Sequence, residues 1–176
     1  MAKKRIIEIT IAGYTFSLKN LKVHDDMSDE TTCFSADLVC NGKVIAHCSN
    51  DGRGGMTRVW GVASSHKEAV ELFAPLVAIK NFRDEEYEKL MNERMLQFCM
   101  KDSEPLVQPW TDEHLCDTLM EKQSAWDDAV KRLKKFAKKN PDMYIWFNGE
   151  TMVACTATTF VSTDGTKYEN VTQWVR

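Results

Sequence analysis

Four two-residue turn signals narrow the fold more than anything else in this chain: Gly13-Tyr14, Asn41-Gly42, Asn148-Gly149 and Asp164-Gly165. Dipeptides of this kind adopt the positive φ angles of primed turns, whose twist matches that of paired antiparallel strands. Around Gly13-Tyr14 the spacing predicts a hairpin over residues 6–23, with Ile11 opposite Phe16 and Ile9 opposite Leu18. One face is then apolar throughout, and Thr10 and Ser17 share the other. Around Asn41-Gly42 it predicts a second hairpin over 32–49, with Leu38 facing Ile45 and Val39 paired with Val44. That register sets His47 on the apolar side with Phe34 and Ala36, and Asp37 on the reverse side. Residues 56–62 read as a further strand, and 143–175 as a three-stranded meander in which Val161 faces Tyr168 and Cys155 faces Trp174.

Helical spacing fills the middle of the chain. Ser65-His66-Lys67-Glu68 has the capping-box pattern ahead of Ala69, Leu72, Phe73, Leu76 and Val77, with Pro75 expected to kink or split that helix. A second helix is expected over 84–100, followed by a Pro-containing connector over 103–109. A long third helix starts at a cap supplied by Thr111 or Asp112 and ends near Lys139. Its predicted buried stripe is Leu115, Leu119, Trp126, Val130, Leu133 and Ala137. Strands grouped at both ends rather than alternating with helices imply an α+β fold: an antiparallel sheet with two or three helices on one face. At 176 residues the chain reads as one globular domain, with β-hairpins over 1–63, a helical insert over 64–140 and the meander over 141–176.

Between the second hairpin and the next strand lies Asn50-Asp51-Gly52-Arg53-Gly54-Gly55, which holds three of the chain's eight glycines. No Gly-Lys-Ser/Thr follows, so it is no Walker loop, and strand rather than helix follows, so it is no dinucleotide fingerprint. Consecutive backbone N–H groups there can form an anion-binding nest, with Arg53 and Arg58 adding forked donors for phosphate. Asn50 and Asp51 would then read a base or ribose edge. The plainer reading is a wide hairpin connection, in which Asp51-Gly52 makes a turn and Gly54-Gly55 a bulge.

Other chemistry is sparse. His47 stands beside Cys48, but neighbouring strand residues point to opposite faces, so the two are not a nucleophile–base pair. His47-Cys48-Ser49 has no second His-x-Ser/Thr dyad to accompany it. The acidic loop of Asp25, Asp26, Asp29 and Glu30 lacks calcium-loop spacing. The six cysteines show no C-x-x-C pair and read as buried small hydrophobes. Six bases between Lys131 and Lys139 form the outer face of an amphipathic helix. With a net charge of −3, nucleic acid is not the expected partner. Catalytic residues, metal and cofactor are therefore all expected to be none. No segment is apolar enough for a signal peptide or a membrane span, and a reduced, cytoplasmic setting follows.

The run Phe34-Ser35-Ala36-Asp37-Leu38, with Asn41-Gly42-Lys43 and the glycine-rich stretch, resembles small uncharacterised proteins of bacteria and their phages. That resemblance covers about a quarter of the chain and implies a mobile-element setting. The resulting expectation is a non-enzymatic binding protein. It would hold a phosphate-bearing small ligand, such as a signalling nucleotide, through Asn50, Asp51, Gly52, Arg53, Gly54, Gly55, Arg58 and His47. Two alternatives accompany it: a protein-binding inhibitor or adaptor acting on a host factor, and a hydrolase using His47 and Asp51. Self-association stays open.

Overall fold

Alternation of apolar and polar side chains underlies five strands in the first third of the chain. The computed structural model describes residues 5–80, 111–148, 151–162 and 165–175. Strands β1 (Glu8–Ile11), β2 (Tyr14–Val23), β3 (Phe34–Cys40), β4 (Lys43–Asn50) and β5 (Arg58–Gly61) form one antiparallel sheet in sequential order. Helix α1 spans His66–Lys80 and α2 spans Asp112–Lys139. Strands β6 (Tyr144–Phe147), β7 (Met152–Cys155) and β8 (Glu169–Asn170) form a second antiparallel sheet, and α3 (Thr172–Val175) closes the chain. The fold is α+β. Among the described residues no helix is long and apolar enough to cross a membrane.

The chain sorts into two compact units, residues 7–120 and residues 121–176 with the N-terminal residues to Ile6, so the boundary falls within α2. In the first unit, Phe16, Leu18, Phe34, Ala36, Leu38, Ala46 and Cys48 turn one sheet face inward. Leu72, Leu76 and Ile79 of α1 and Leu115, Cys116 and Leu119 of α2 pack into the same core. In the second, the buried residues include Trp126, Ala129, Leu133, Ala137, Ile145, Val171 and Val175. The Arg5 guanidinium lies 4.8 Å over the Trp126 ring and its side chain pairs with Glu169.

Several local expectations change. The first turn is Ala12-Gly13, not Gly13-Tyr14: Ala12 (φ 52°) and Gly13 (φ 81°) both take positive φ, as a type I′ turn requires. Ile9 therefore faces Phe16, and Ile11 faces Tyr14. Moving the turn by one residue shifts the pairing by two, so every side chain keeps its face. The second turn stands at Asn41-Gly42 as expected, with Val39 opposite Val44. Beyond that pair a bulge at Ile45 puts Leu38 opposite Ala46 instead. One extra residue reverses the facing of everything after it. His47 consequently leaves the apolar side and sits opposite Asp37.

Pro75 does not split α1, which runs unbroken from His66 to Lys80 with the proline ring buried. The carbonyl left without a donor belongs to Glu71, which faces solvent. The Ser65 hydroxyl accepts from the Glu68 N–H at 3.3 Å, while the Glu68 carboxylate accepts from the N–H and hydroxyl of Ser64, one residue earlier than a capping box. Thr111 caps α2 through the His114 N–H at 3.2 Å. Within α2 the buried stripe includes Gln123 and Ala129, and Val130 is only half-buried. All six bases of Lys131–Lys139 are exposed, as the amphipathic reading requires.

At the C-terminal end, β8 pairs with β6 rather than β7, giving the order β7-β6-β8. Tyr144, not Trp174, is the partner of Cys155, because Trp174 lies in α3. Val161 is exposed, and Tyr168 meets Phe160 edge-on at 5.2 Å. The expected helix at 84–100, the connector at 103–109, Trp110, Cys99, Gly149 and Asp164 lie outside the described residues.

Candidate functional site: the glycine-rich connection and the open sheet face

Residues 51–57 connect β4 to β5, and the Asn50 side chain organises them. Its carbonyl oxygen accepts from the Thr31 hydroxyl (2.8 Å) and the Gly52 N–H (2.9 Å). Its amide donates to the Gly55 carbonyl (2.9 Å) and the Thr57 hydroxyl (3.2 Å). Thr57 in turn donates to Asp117 of α2 at 2.5 Å. Burial raises the Asp117 carboxyl above its ordinary range, partly offset by that Thr57 bond. Asn50 is buried and its carboxamide is committed to the loop; it is not presented to solvent.

The expected nest is filled from within. The N–H of Gly52 binds Asn50 Oδ1, that of Arg53 binds Asp51 Oδ1 at 3.3 Å, and that of Gly54 binds the Thr31 hydroxyl at 3.3 Å. Three successive N–H groups of another loop, those of Asp29, Glu30 and Thr31, converge instead on the Gly52 carbonyl at 2.9, 3.1 and 3.3 Å. Gly52 is buried with φ 81°, and a Cβ there would stand 2.3 Å from the Met27 carbonyl oxygen. Gly54 also has positive φ (80°), and a Cβ would meet the end of the Glu30 side chain. Gly55 has open space around it. The glycine cluster is therefore explained largely by close packing against the acidic 25–31 segment.

Solvent-facing chemistry lies one step along the sheet. Asp51, Arg53 and Arg58 are exposed, with an Arg58–Asp51 ion pair at 3.9 Å. On the outer sheet face, pairing aligns Lys19, Asp37, His47 and Trp60 across β2 to β5, and Lys22, Ser35, Ser49 and Arg58 in the next row. Trp60 is 49% exposed and its ring centroid lies 6.0 Å from that of His47. His47 Nδ1 is 2.6 Å from Asp37 Oδ1, and Asn20 Nδ2 donates to Asp37 Oδ2 at 2.6 Å. The carboxyl of Asp37 is held below its usual range, first by the Asn20 bond and then by His47, against some desolvation. His47 is thus partnered by Asp37, and the Asp51 carboxylate faces Arg58 and its own loop.

Of the expected site residues the structure places His47 and Arg58 in neighbouring rows of one sheet face, pairs Arg58 with Asp51, and adds Trp60, Asp37 and Asn20. Alternation along 58–61 was a usable signal for Trp60, since Arg58 and Trp60 share a face. Nothing local in the sequence marks Asn20. Among the described residues no cluster of three or more metal-ligating side chains occurs. Comparison with protein-family models, curated proteins and solved structures finds no match.

Proposed function

We propose that the protein is a non-enzymatic, cytosolic binding protein for a phosphate-bearing small ligand of nucleotide size. The ligand lies on the open face of the N-terminal sheet, beside the glycine-rich connection. Trp60 supplies a platform for a planar base with His47 tilted beside it, and Arg58, with Arg53 from the loop, supplies forked donors for phosphate. Asn50, Gly52 and Gly54 hold the loop's shape and touch no ligand. The observation that carries this reading is the direct cross-strand pairing of Trp60 with His47, with Arg58 two residues away on the same face. Lys19 and Lys22 add two cations to that face, Lys19 directly opposite Asp37. A phage or mobile-element setting is part of the proposal and rests on the resemblance of residues 34–55 alone.

Calorimetry with nucleoside phosphates at millimolar concentration tests it. The expected result is saturable binding that weakens about tenfold or more in Trp60→Ala and in Arg58→Ala, the scale of losing one stacking or one charge-assisted contact. Binding that survives both changes, or no binding by any nucleotide, counts against it.

A second reading, a protein-binding adaptor, is favoured by Met56 (78% exposed) just ahead of β5 and by Trp60 within it, β5 being one of the two edge strands of the sheet among the described residues. Edges of this kind accept an added strand. A stoichiometric protein recovered from lysate, whose binding is lost on placing proline at Val59, would favour this alternative.

A further inference from the structure

The outer face of an antiparallel sheet needs no hydrogen-bonded chain of polar side chains for its stability, yet one crosses three strands here. Asn20 sits at φ 54°, left-handed backbone that is uncommon outside glycine, at the irregularity in β2 between Lys19 and Lys22. Bulges re-aim side chains, and the Asn20 amide reaches Asp37 Oδ2 at 2.6 Å. Asp37 spends its other oxygen on His47 Nδ1, also at 2.6 Å. An ionised carboxylate only accepts, so the imidazole must carry its proton on Nδ1. In its uncharged form the ring then has a lone pair at Nε2, and it lies beside Trp60.

We propose that Asn20 and Asp37 are positioning residues that fix His47 as a hydrogen-bond acceptor beside the Trp60 ring, so that the site selects a base whose pairing edge offers a ring N–H, the guanine or uracil type, over adenine or cytosine. The ring nitrogen at that edge donates in the first pair and accepts in the second. An acceptor at Nε2 satisfies the donors and leaves the acceptors unpaired. This rests on the nucleotide-binding reading above and extends it from ligand class to base identity.

The test titrates guanosine 5′-monophosphate and adenosine 5′-monophosphate against the wild type, Asp37→Asn and Asn20→Gly. The last change removes the amide while suiting the positive φ. Thermal melts confirm folding, and imidazole ¹⁵N shifts report the His47 tautomer. In the wild type we expect the guanine nucleotide to bind about tenfold more tightly, the scale of one hydrogen bond left unmade. His47 should carry its proton on Nδ1. In Asp37→Asn the preference should fall toward unity with the tautomers mixed, and Asn20→Gly should lie between. Equal affinities in the wild type, a preference untouched by Asp37→Asn, or an Nε2–H tautomer overturns the inference while nucleotide binding stands. If neither nucleotide binds the wild type, the binding reading falls and takes this inference with it.

Discussion

At the scale of single residues, three glycines that look alike in sequence separate by what surrounds them. Gly52 needs both positive φ and the space that a Cβ would take from the Met27 carbonyl. Gly52→Ala should therefore cost about 3 kcal/mol or more, among the larger single-residue effects. Gly54→Ala should cost about 1–2 kcal/mol, the left-handed penalty, because the atom it meets ends a flexible glutamate side chain. Gly55→Ala should change stability little. Denaturant midpoints of the three variants check the order. Equal losses would contradict the assignment of Gly52 to structure. The sequence showed that the cluster had a purpose, but not that its N–H groups were already spoken for. Their acceptors are the Thr31 hydroxyl, from a loop some twenty residues upstream, the Asn50 side-chain oxygen, from the preceding strand, and the Asp51 carboxylate within the stretch itself.

At the scale of elements, the turns were legible and their consequences only partly so. Asn41-Gly42 is legible because that pair suits type I′ and little else. Ala12-Gly13 is not, because alanine is a poor occupant of φ 52° and carries no turn signal. Ala12→Asn or Ala12→Gly should accordingly stabilise the first hairpin by about 1 kcal/mol, raising the melting temperature. A fall would favour a turn at Gly13-Tyr14. The bulge at Ile45 mattered more, because it moved His47 from the core side to the side of Asp37. Its trace in the sequence is the unbroken apolar run Val44-Ile45-Ala46, too short to distinguish from ordinary burial. The strut from Thr57 to Asp117 ties the glycine-rich connection to α2 and gives a pH-dependent prediction. With its folded-state value raised, the Asp117 carboxylate weakens the fold while ionised. That weakening is full above the raised value, and it eases as the pH falls through it toward the ordinary value of 3.8. Asp117→Asn keeps an acceptor for Thr57, so its melting temperature should exceed that of the wild type near neutral pH. The gap should close on acidification toward roughly pH 4. A gap that widens on acidification would contradict the burial argument.

At the scale of the whole molecule, the α+β class followed from where the turn signals cluster, because hairpin dipeptides at both ends and helical spacing between them admit few arrangements. The division near residue 120 was not legible, since it falls inside one continuous helix with no break in periodicity. The order β7-β6-β8 was equally hidden: adjacent antiparallel strands are the natural expectation, and the return of residues 169–170 to β6 depends on Val171 and Thr172 bonding the Ile145 backbone. We propose that the outer face of the N-terminal sheet, rather than the glycine-rich backbone, receives the ligand. A ¹H–¹⁵N correlation map recorded while guanosine 5′-monophosphate is titrated in tests it most directly. Shifts are expected at the Trp60 indole, the His47 ring and the Arg58 guanidinium, with the N–H signals of Gly52 and Gly54 little changed. Shifts concentrated at Gly52, Arg53 and Gly54 with Trp60 and His47 unmoved would contradict it.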